Sequence, residues 1–551
     1  MFFRVKPSGP RRYLQLVENF WDGGRTKQRV RCTLGRLDLL QQSGQLDALL
    51  TSGARFAEKV LLLTAHQNGQ APVVTTRRIG PPLIFERLWQ QTGCRDVLGE
   101  LLAERRFEVP VERAVFLTVL HRLCATGSDR AADRWRRDYA LDGADGLHLH
   151  HLYRVLAWLG EELPQGQQQG STTLVPRCTK DVIEEQLFAR HRDLFTDLDV
   201  VFFDTTSLYF EGDGGDELGR YGHSKDHRPD EHQMVVGAVL DGAGRPICCE
   251  LWPGNTTDVT TLMPVVDRLW RRFRIRQVCV VADRGMICQD TVTDLEEQGW
   301  PYILGARLRQ AEVRDEVLAA GGRFRVVHGP RQQADEPAPL KVKDVRVQGR
   351  RYVVCVNAEE VESDRARREA IVASLREQLT RGDKALLGNK GYRRYLMVEG
   401  AGHFTIDEAK LAEEARDDGT WVLRTNTDWP AAEVALRYKK LWLVEHWFRA
   451  CKSLVETRPI YHQRDATIRG HVFCSFLALV LRHELQTRLA ARGHDLEWAE
   501  VIQDLERVQY VEVEHTGKRF LLRSELQGTA GRVFQAAGVA APPTVQQITE
   551  A

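Results

Sequence analysis

The sequence has no long hydrophobic run, no disulfide framework and almost no net charge. Its longest nearly apolar stretch, Val472 to Leu481, covers about ten residues where a membrane helix needs ~20, so no spanning segment is expected. The opening MFFRVKPSGPRRY lacks the apolar h-region of a secretory signal. None of the 11 cysteines forms a C-x-x-C pair. Several sit in apolar strings (Cys279 in QVCVV, Cys355 in YVVCV, Cys474 in VFCSF), where a thiol behaves as a small hydrophobe. Free thiols in a reducing, cytoplasmic compartment are expected. The 44 glycines show no G-x-y period, which excludes a collagen, and 43% hydrophobic residues exclude a disordered polyelectrolyte.

What the chain does have is length and uneven charge. Its 551 residues are enough for three or four domains. The 77 basic and 76 acidic residues nearly cancel overall but not locally. Residues 1–40 hold nine Arg/Lys against three acids, residues 434–472 hold eight against three, and Arg268 to Arg276 holds five arginines and no acid. Such stretches can supply phosphate contacts in a chain that is neutral as a whole.

Residues 1–75 begin with a hairpin, since RYLQLVENFW and KQRVRCTLGRL flank the turn signal DGGR. Residues 76–165 are helical in pattern, for example Val111 to Leu123 and Ser128 to Tyr139. They suit a DNA-binding module or, equally, a plain bundle with a charged face. Leu163 to Pro176, LPQGQQQGSTTLVP, reads as a linker, which makes 166–195 linker plus a short helix. Residues 196–309 turn to short apolar strands (DVVFF, QMVVGAVL, PICCELW, QVCVVA, PYILGA) with two helices between them, a mixed α/β layer. Residues 310–430 break that alternation and read as a mainly β insertion. A long helix from about Pro430 and further helices fill 431–495, and the tail 496–551 reads as peripheral.

Three acids stand out. Asp204 ends VVFF and Asp283 ends VCVVA, each at the expected exposed end of a buried strand, where open α/β sheets place their ligands. Each would also suit a turn, in DTTS and DRG. Two like charges on neighbouring strands call for a cation. Glu445 lies in YKKLWLVEHWFRACK, where Tyr438, Glu445 and Lys452 recur every seven residues and so project from one face of a helix. A plain amphipathic helix with a Glu445–Arg449 pair accounts for the same spacing. Together Asp204, Asp283 and Glu445 form a hard oxygen set suited to two Mg²⁺ or Mn²⁺ ions of the kind used in phosphoryl displacement. Tyr438, Arg449 and Lys452 would then meet the scissile strand, and Trp442 would stack on an unpaired base. Lys225 and Arg228 in SKDHRP, and Lys390, Arg393 and Arg394 in GNKGYRR, are further candidates for DNA phosphate, or else belong to solvated turns.

These blocks resemble the DDE transposases of the insertion-sequence-four superfamily, in its sixteen-thirty-four branch. The spacing of Tyr438, Glu445 and Lys452 matches the signature Tyr-x2-Arg-x3-Glu-x6-Lys, with Leu441 standing where the signature has arginine. FFDTTSLYFEG, YGHSKDHRP, LWPGNTTD and VVADRG are similar to the first and second acid blocks of that branch. RYLQLVENFWDGGRTKQRVRCTLGRL and GNKGYRRYL are similar to further segments of it. The resemblance implies an α/β fold with a ribonuclease-H-like core. A mainly β insertion precedes its last catalytic helix, and an N-terminal β-hairpin and helical DNA-binding region come before the core. It also implies cut-and-paste transposition, in which water frees a 3′-OH at the element's ends and that hydroxyl attacks the second strand or the target. Double-stranded DNA, as terminal inverted repeats and target, is the expected partner, with no membrane. Synapsis of two ends calls for at least a homodimer. A catalytically silent DNA-binding descendant and a hydrolytic nuclease of the same fold are the competing readings.

Overall fold

The computed structural model describes residues 1–22, 24–49, 52, 68–69, 73–103, 105–168, 175–191, 198–275, 278–308, 310–333, 336–381, 395–399, 403–515 and 518–548. They form two compact units, one of residues 1–80, 503–531 and 540–551, the other of residues 81–502 and 532–539.

In the first unit, Phe2–Ser8, Arg11–Asp22 and Arg25–Arg36 form an antiparallel three-stranded sheet. The hairpin at DGGR is present, with Asp22 paired to Arg25, and one strand more has joined it. A four-stranded sheet sets Val73–Arg78 beside Gln509–His515, followed by Lys518–Arg523 and Val545–Gln547. The tail is therefore not peripheral. Its backbone groups pair with a strand some 430 residues earlier in the chain, as buried N–H and C=O groups require.

After the helices Gly80–Gln91 and Cys94–Ala103, the second unit continues with α1 (Val111–Cys124), α2 (Asp129–Trp135), α3 (Leu149–Leu159) and α4 (Thr179–Arg190). α1 is buried along nearly its whole length, so it forms the middle of a bundle. A nine-stranded sheet follows, made of β1 (Val200–Tyr209), β2 (Gln233–Asp241), β3 (Pro246–Pro253), β4 (Cys279–Ala282), β5 (Tyr302–Ala306), β6 (Arg325–His328), β7 (Leu340–Val347), β8 (Arg350–Val356) and β9 (Thr420–Thr425). Its order is β6-β7-β8-β9-β5-β4-β1-β2-β3. Within it, β3-β2-β1 is an antiparallel meander and β4 and β5 run parallel to β1, which is the ribonuclease-H-like arrangement. Residues 310–430, expected as a mainly β insertion, divide: Leu396–Glu399 and His403–Ile406 pair in a small sheet of their own, and the other strands join the large sheet. β9 pairs antiparallel with β5, and β8, β7 and β6 continue outward, so the core's open edge is covered rather than left exposed.

Helices α5 (Leu262–Arg271) and α6 (Gln289–Glu297) cover one face of this sheet. The other face receives α7 (Ala431–Lys439), which packs on β4, β5, β7 and β8, and α8 (Trp442–Ser453), which packs on β1 and β2. α9 (Asp465–Ala490) packs against α1 and α3, and the apolar run Val472 to Leu481 is its buried middle. Among the described residues no helix is long and apolar enough to cross a membrane. Cys279, Cys355 and Cys474 are free and buried. A charged cluster is also buried. Lys180 donates to Asp181 at 2.7 Å, and Arg268 of α5 pairs with Asp181 at 2.8 Å, with Glu184 of α4 and with Glu250 of β3.

Candidate active site

Strand alternation decides which side chains meet. Val201 and Phe203 of β1, Val280 and Ala282 of β4, and Tyr302 and Leu304 of β5 enter the core beneath α5 and α6. The alternate positions face the other way, so Asp204, Asp283 and Gly305 share the side on which α7 and α8 lie. Register aligns them. Phe203 pairs with Ala282 and Ala282 with Leu304, so one step further along the strands Asp204 stands beside Asp283, and Asp283 beside Gly305.

Asp204 is therefore not at an exposed strand end, as its place after VVFF suggested. It is the fifth of ten residues in β1, which continues because Thr205 to Tyr209 pair with β2. Asp283 does follow the last residue of β4 directly. Burial pushes the Asp204 carboxyl up to about 6; Lys225 and the Thr205 N–H act against the rise, and Asp283 and Asp258 add to it. Tyr438 of α7 donates from Oη to Asp283 Oδ1 at 3.0 Å. Burial, then the charge on Asp283, raise this phenol far above its ordinary value. A Cβ on Gly305 would sit 2.5 Å from Tyr438 Oη, so the missing side chain is what gives the hydroxyl its place.

A fourth acid belongs to this group. Asp258, in LWPGNTTD, accepts a hydrogen bond from Thr205 Oγ1 at 2.7 Å and pairs with Lys225 Nζ at 3.0 Å. Lys225 also donates to the Thr205 carbonyl and hydroxyl at 2.9 and 2.8 Å. Only the resemblance to the family blocks touched LWPGNTTD in the sequence; no spacing rule connects Asp258 to Asp204. Gly305 likewise has no local signature.

The expected single helix bearing Tyr438, Glu445 and Lys452 is two helices. α7 ends at Lys439 and α8 starts at Trp442, so a seven-residue spacing across the break no longer defines a common face. Leu441, in the signature's arginine position, is only 7% exposed and packs at this junction. The exposed face of α8 carries Trp442, Glu445 and Arg449 instead. Among the described residues the Glu445 and Arg449 side chains have no hydrogen-bond or ion-pair partner, so their expected pair is not formed. Lys452, two turns beyond Glu445 on the same helix, is engaged: it donates to the buried Asp226 carboxylate at 2.8 Å, which Arg458 also approaches at 3.3 Å. Arg228 pairs with Asp230 and Glu231 and lies over the Tyr209 ring. Lys225, Arg228 and Lys452 are thus each paired with an acid of the same chain, whereas Lys390, Arg393 and Arg394 lie outside the described residues.

The donor set fits a hard divalent cation. Asp204 lies near Asp283 and Asp258, Lys225 pairs with Asp258, and the Asp204 carboxyl is raised chiefly by burial, with the two neighbouring acids adding to it. Asp204 and Asp283 lie side by side on the sheet, and Glu445 stands free on the helix that packs on β1. Among the described residues the group of three ligand atoms lying within 4.8 Å of one another is a different one, Asp129, His462 and His471.

Residues 195–481, more than half of the sequence, match the family described as transposase DDE domain. The chain belongs to the DDE transposases. Residues 3–67 match the N-terminal domain of IS1634 family transposases, which sets this transposase in that branch. No curated protein matches the sequence. Solved structures similar to part of it include a Mos1 transposase paired-end complex with left transposon end (14% identity, TM-score 0.15) and a pre-cleavage Mos1 transpososome (12% identity, TM-score 0.13). Each match covers 36% of this chain and 60% or 61% of the other. The transposase thus spans about three fifths of the length of those relatives.

Proposed function

We propose that this transposase binds the terminal inverted repeats of its own element as duplex DNA, cleaves at their ends and joins the freed 3′-OH to target DNA. The observation that carries the reading is the cross-strand row Asp204–Asp283, capped by the Tyr438 hydroxyl on the face where α8 carries Glu445. Asp204, Asp283 and Glu445 would hold Mg²⁺ or Mn²⁺; such ions, when bound, neutralise the scissile phosphate and acidify the attacking water. The protein's own groups do the rest. Tyr438 fixes the Asp283 carboxylate by donating to one of its oxygens, leaving the other as a ligand. Lys225 and Thr205 hold Asp258 beside Asp204 and limit the repulsion among the acids. On the exposed face of α8, Arg449 meets phosphate and Trp442, 56% exposed, stacks on a base left unpaired near the cut, worth ~1–3 kcal/mol. Lys225, Arg228 and Lys452 shape the loop beneath, and Lys390, Arg393 and Arg394 are proposed as additional phosphate contacts. Two DNA ends held together imply at least two copies of the chain.

The test is incubation of the purified protein with a duplex carrying the element's end, with Mg²⁺ and with Asp204→Asn, Asp283→Asn and Glu445→Gln in parallel. Metal-dependent release of a 3′-OH and strand joining by the unaltered chain alone supports the proposal. Nicks without joining would make it a hydrolytic nuclease. The buried Leu441 favours one further reading, a DNA-binding protein without catalysis, because it removes a cation that the signature carries; binding without any cleavage would establish it.

A further inference from the structure

Away from the aspartate row, Asp129 at the start of α2, His462, and His471 on α9 bring three potential ligand atoms within 4.8 Å. Their hydrogen bonds rule out a metal. His471 Nδ1 lies 2.9 Å from Arg122 Nη2, and because a guanidinium can only donate, that nitrogen is already an acceptor. His471 Nε2 lies 3.0 Å from the Thr457 carbonyl and must therefore carry the proton. His471 therefore keeps no ring lone pair for an ion, and the trio falls to two ligands at most. Asp129 is 3.3 Å from His462 Nε2 and 3.9 Å from Arg122, so its charge is satisfied inside the protein. The trio is a hydrogen-bonded polar floor, and it ties the segment after α8 to α2 and α9.

Above that floor opens a groove of about 1020 Å³. Arg130 of α2, Arg154 of α3 and Arg464, just before α9, line it from three separate segments. All three are exposed, and none has an ion-pair or hydrogen-bond partner for its side chain among the described residues. Tyr153 and Tyr461, 39% and 64% exposed, stand at the same groove. Glu456 is its exposed acid, since Asp129 is neutralised below. Most cations near the aspartate row are paired with acids; these three are not. Unpaired guanidinium groups from three segments that line one groove, with aromatic rings in the same lining, suit a chain of phosphodiesters rather than a small anion.

We propose that this groove is a second DNA-backbone site, in which Arg130, Arg154 and Arg464 each contact a phosphate of the duplex outside the cleavage point. It rests on the DNA reading above. The experiment measures the affinity of the full chain for an end-bearing duplex by fluorescence anisotropy across a salt series, with the triple variant Arg130→Ala, Arg154→Ala, Arg464→Ala alongside. Three lost contacts make the slope of log K against log[salt] shallower by about 2.7, equivalent to a loss of affinity about 40-fold smaller between roughly 50 and 200 mM salt. Lysine at the same three positions should restore the slope, and an unchanged circular dichroism melt shows that the variant is folded. Metal-dependent cleavage by the unaltered chain together with an unchanged slope in the triple variant overturns the groove alone. No duplex binding by the unaltered chain overturns the groove and the DNA reading together.

Discussion

One methyl group at Gly305 tests the geometry of the aspartate row. In Gly305→Ala the new Cβ lies 2.5 Å from Tyr438 Oη and 3.0 Å from the Arg284 backbone nitrogen. Ordinary contact begins near 3.4 Å, so the hydroxyl must retreat by about 0.9 Å while the backbone yields a few tenths. That retreat stretches its 3.0 Å bond to Asp283 out of hydrogen-bond range. Overpacking costs about 1–3 kcal/mol and a hydrogen bond to a charged group about 1.5–3, so a loss on the order of 3 kcal/mol is expected. Tyr438→Phe removes the atom that the methyl strikes. Denaturant unfolding of the unaltered chain, both single variants and the double variant should therefore show the double less destabilised than the sum, by about 1–2 kcal/mol. Additivity to within about 0.5 kcal/mol would mean that the hydroxyl does not lie over Gly305, and the account of how Asp283 is held would fall with it.

Asp204 gives a pH signature. Its folded carboxyl is raised to about 6, so the stability it contributes is complete below the ordinary Asp value of 3.8 and is lost as pH rises through 6. Without divalent ions Asp204→Asn should therefore be the more stable protein at pH 7.5, by at most about 3 kcal/mol, and the gap should close toward pH 4 in thermal melts. Added Mn²⁺ should stabilise the unaltered chain at pH 7.5 and much less at pH 5, where a proton competes; equal stabilisation at both would remove Asp204 as a ligand. Asp226→Asn strands Lys452 and Arg458 without their partner and should cost about 3 kcal/mol in denaturant unfolding, while Arg228→Ala, which breaks exposed pairs, should leave the unfolding midpoint nearly unchanged. Arg268→Met leaves Asp181, Glu184 and Glu250 buried without their shared cation, and a loss of about 3–5 kcal/mol should appear in the same measurement.

Chemistry carried by residue type and local run was legible in the chain itself. The apolar strings before Asp204 and Asp283 are buried strands, and the helix with Glu445 does leave that acid exposed. The break at Lys440–Leu441 was not legible, because YKKLWLVEHWFRACK has no proline or glycine to mark it and the heptad spacing runs through it unbroken. The pairing of Lys452 with Asp226 and of Lys225 with Asp258 joins residues 226 and 33 positions apart, beyond any local rule.

The sequence by itself determined the family and which runs of the core are buried strands, because these depend on residue identity and on hydrophobic runs that must be buried. The tertiary structure alone decided that Asp204 sits mid-strand beside Asp283, that Gly305 leaves a gap for Tyr438, that Asp258 joins the group and that β6 to β9 extend the same sheet. Each of those depends on register between distant strands, where a shift of a single residue would turn every side chain to the opposite face.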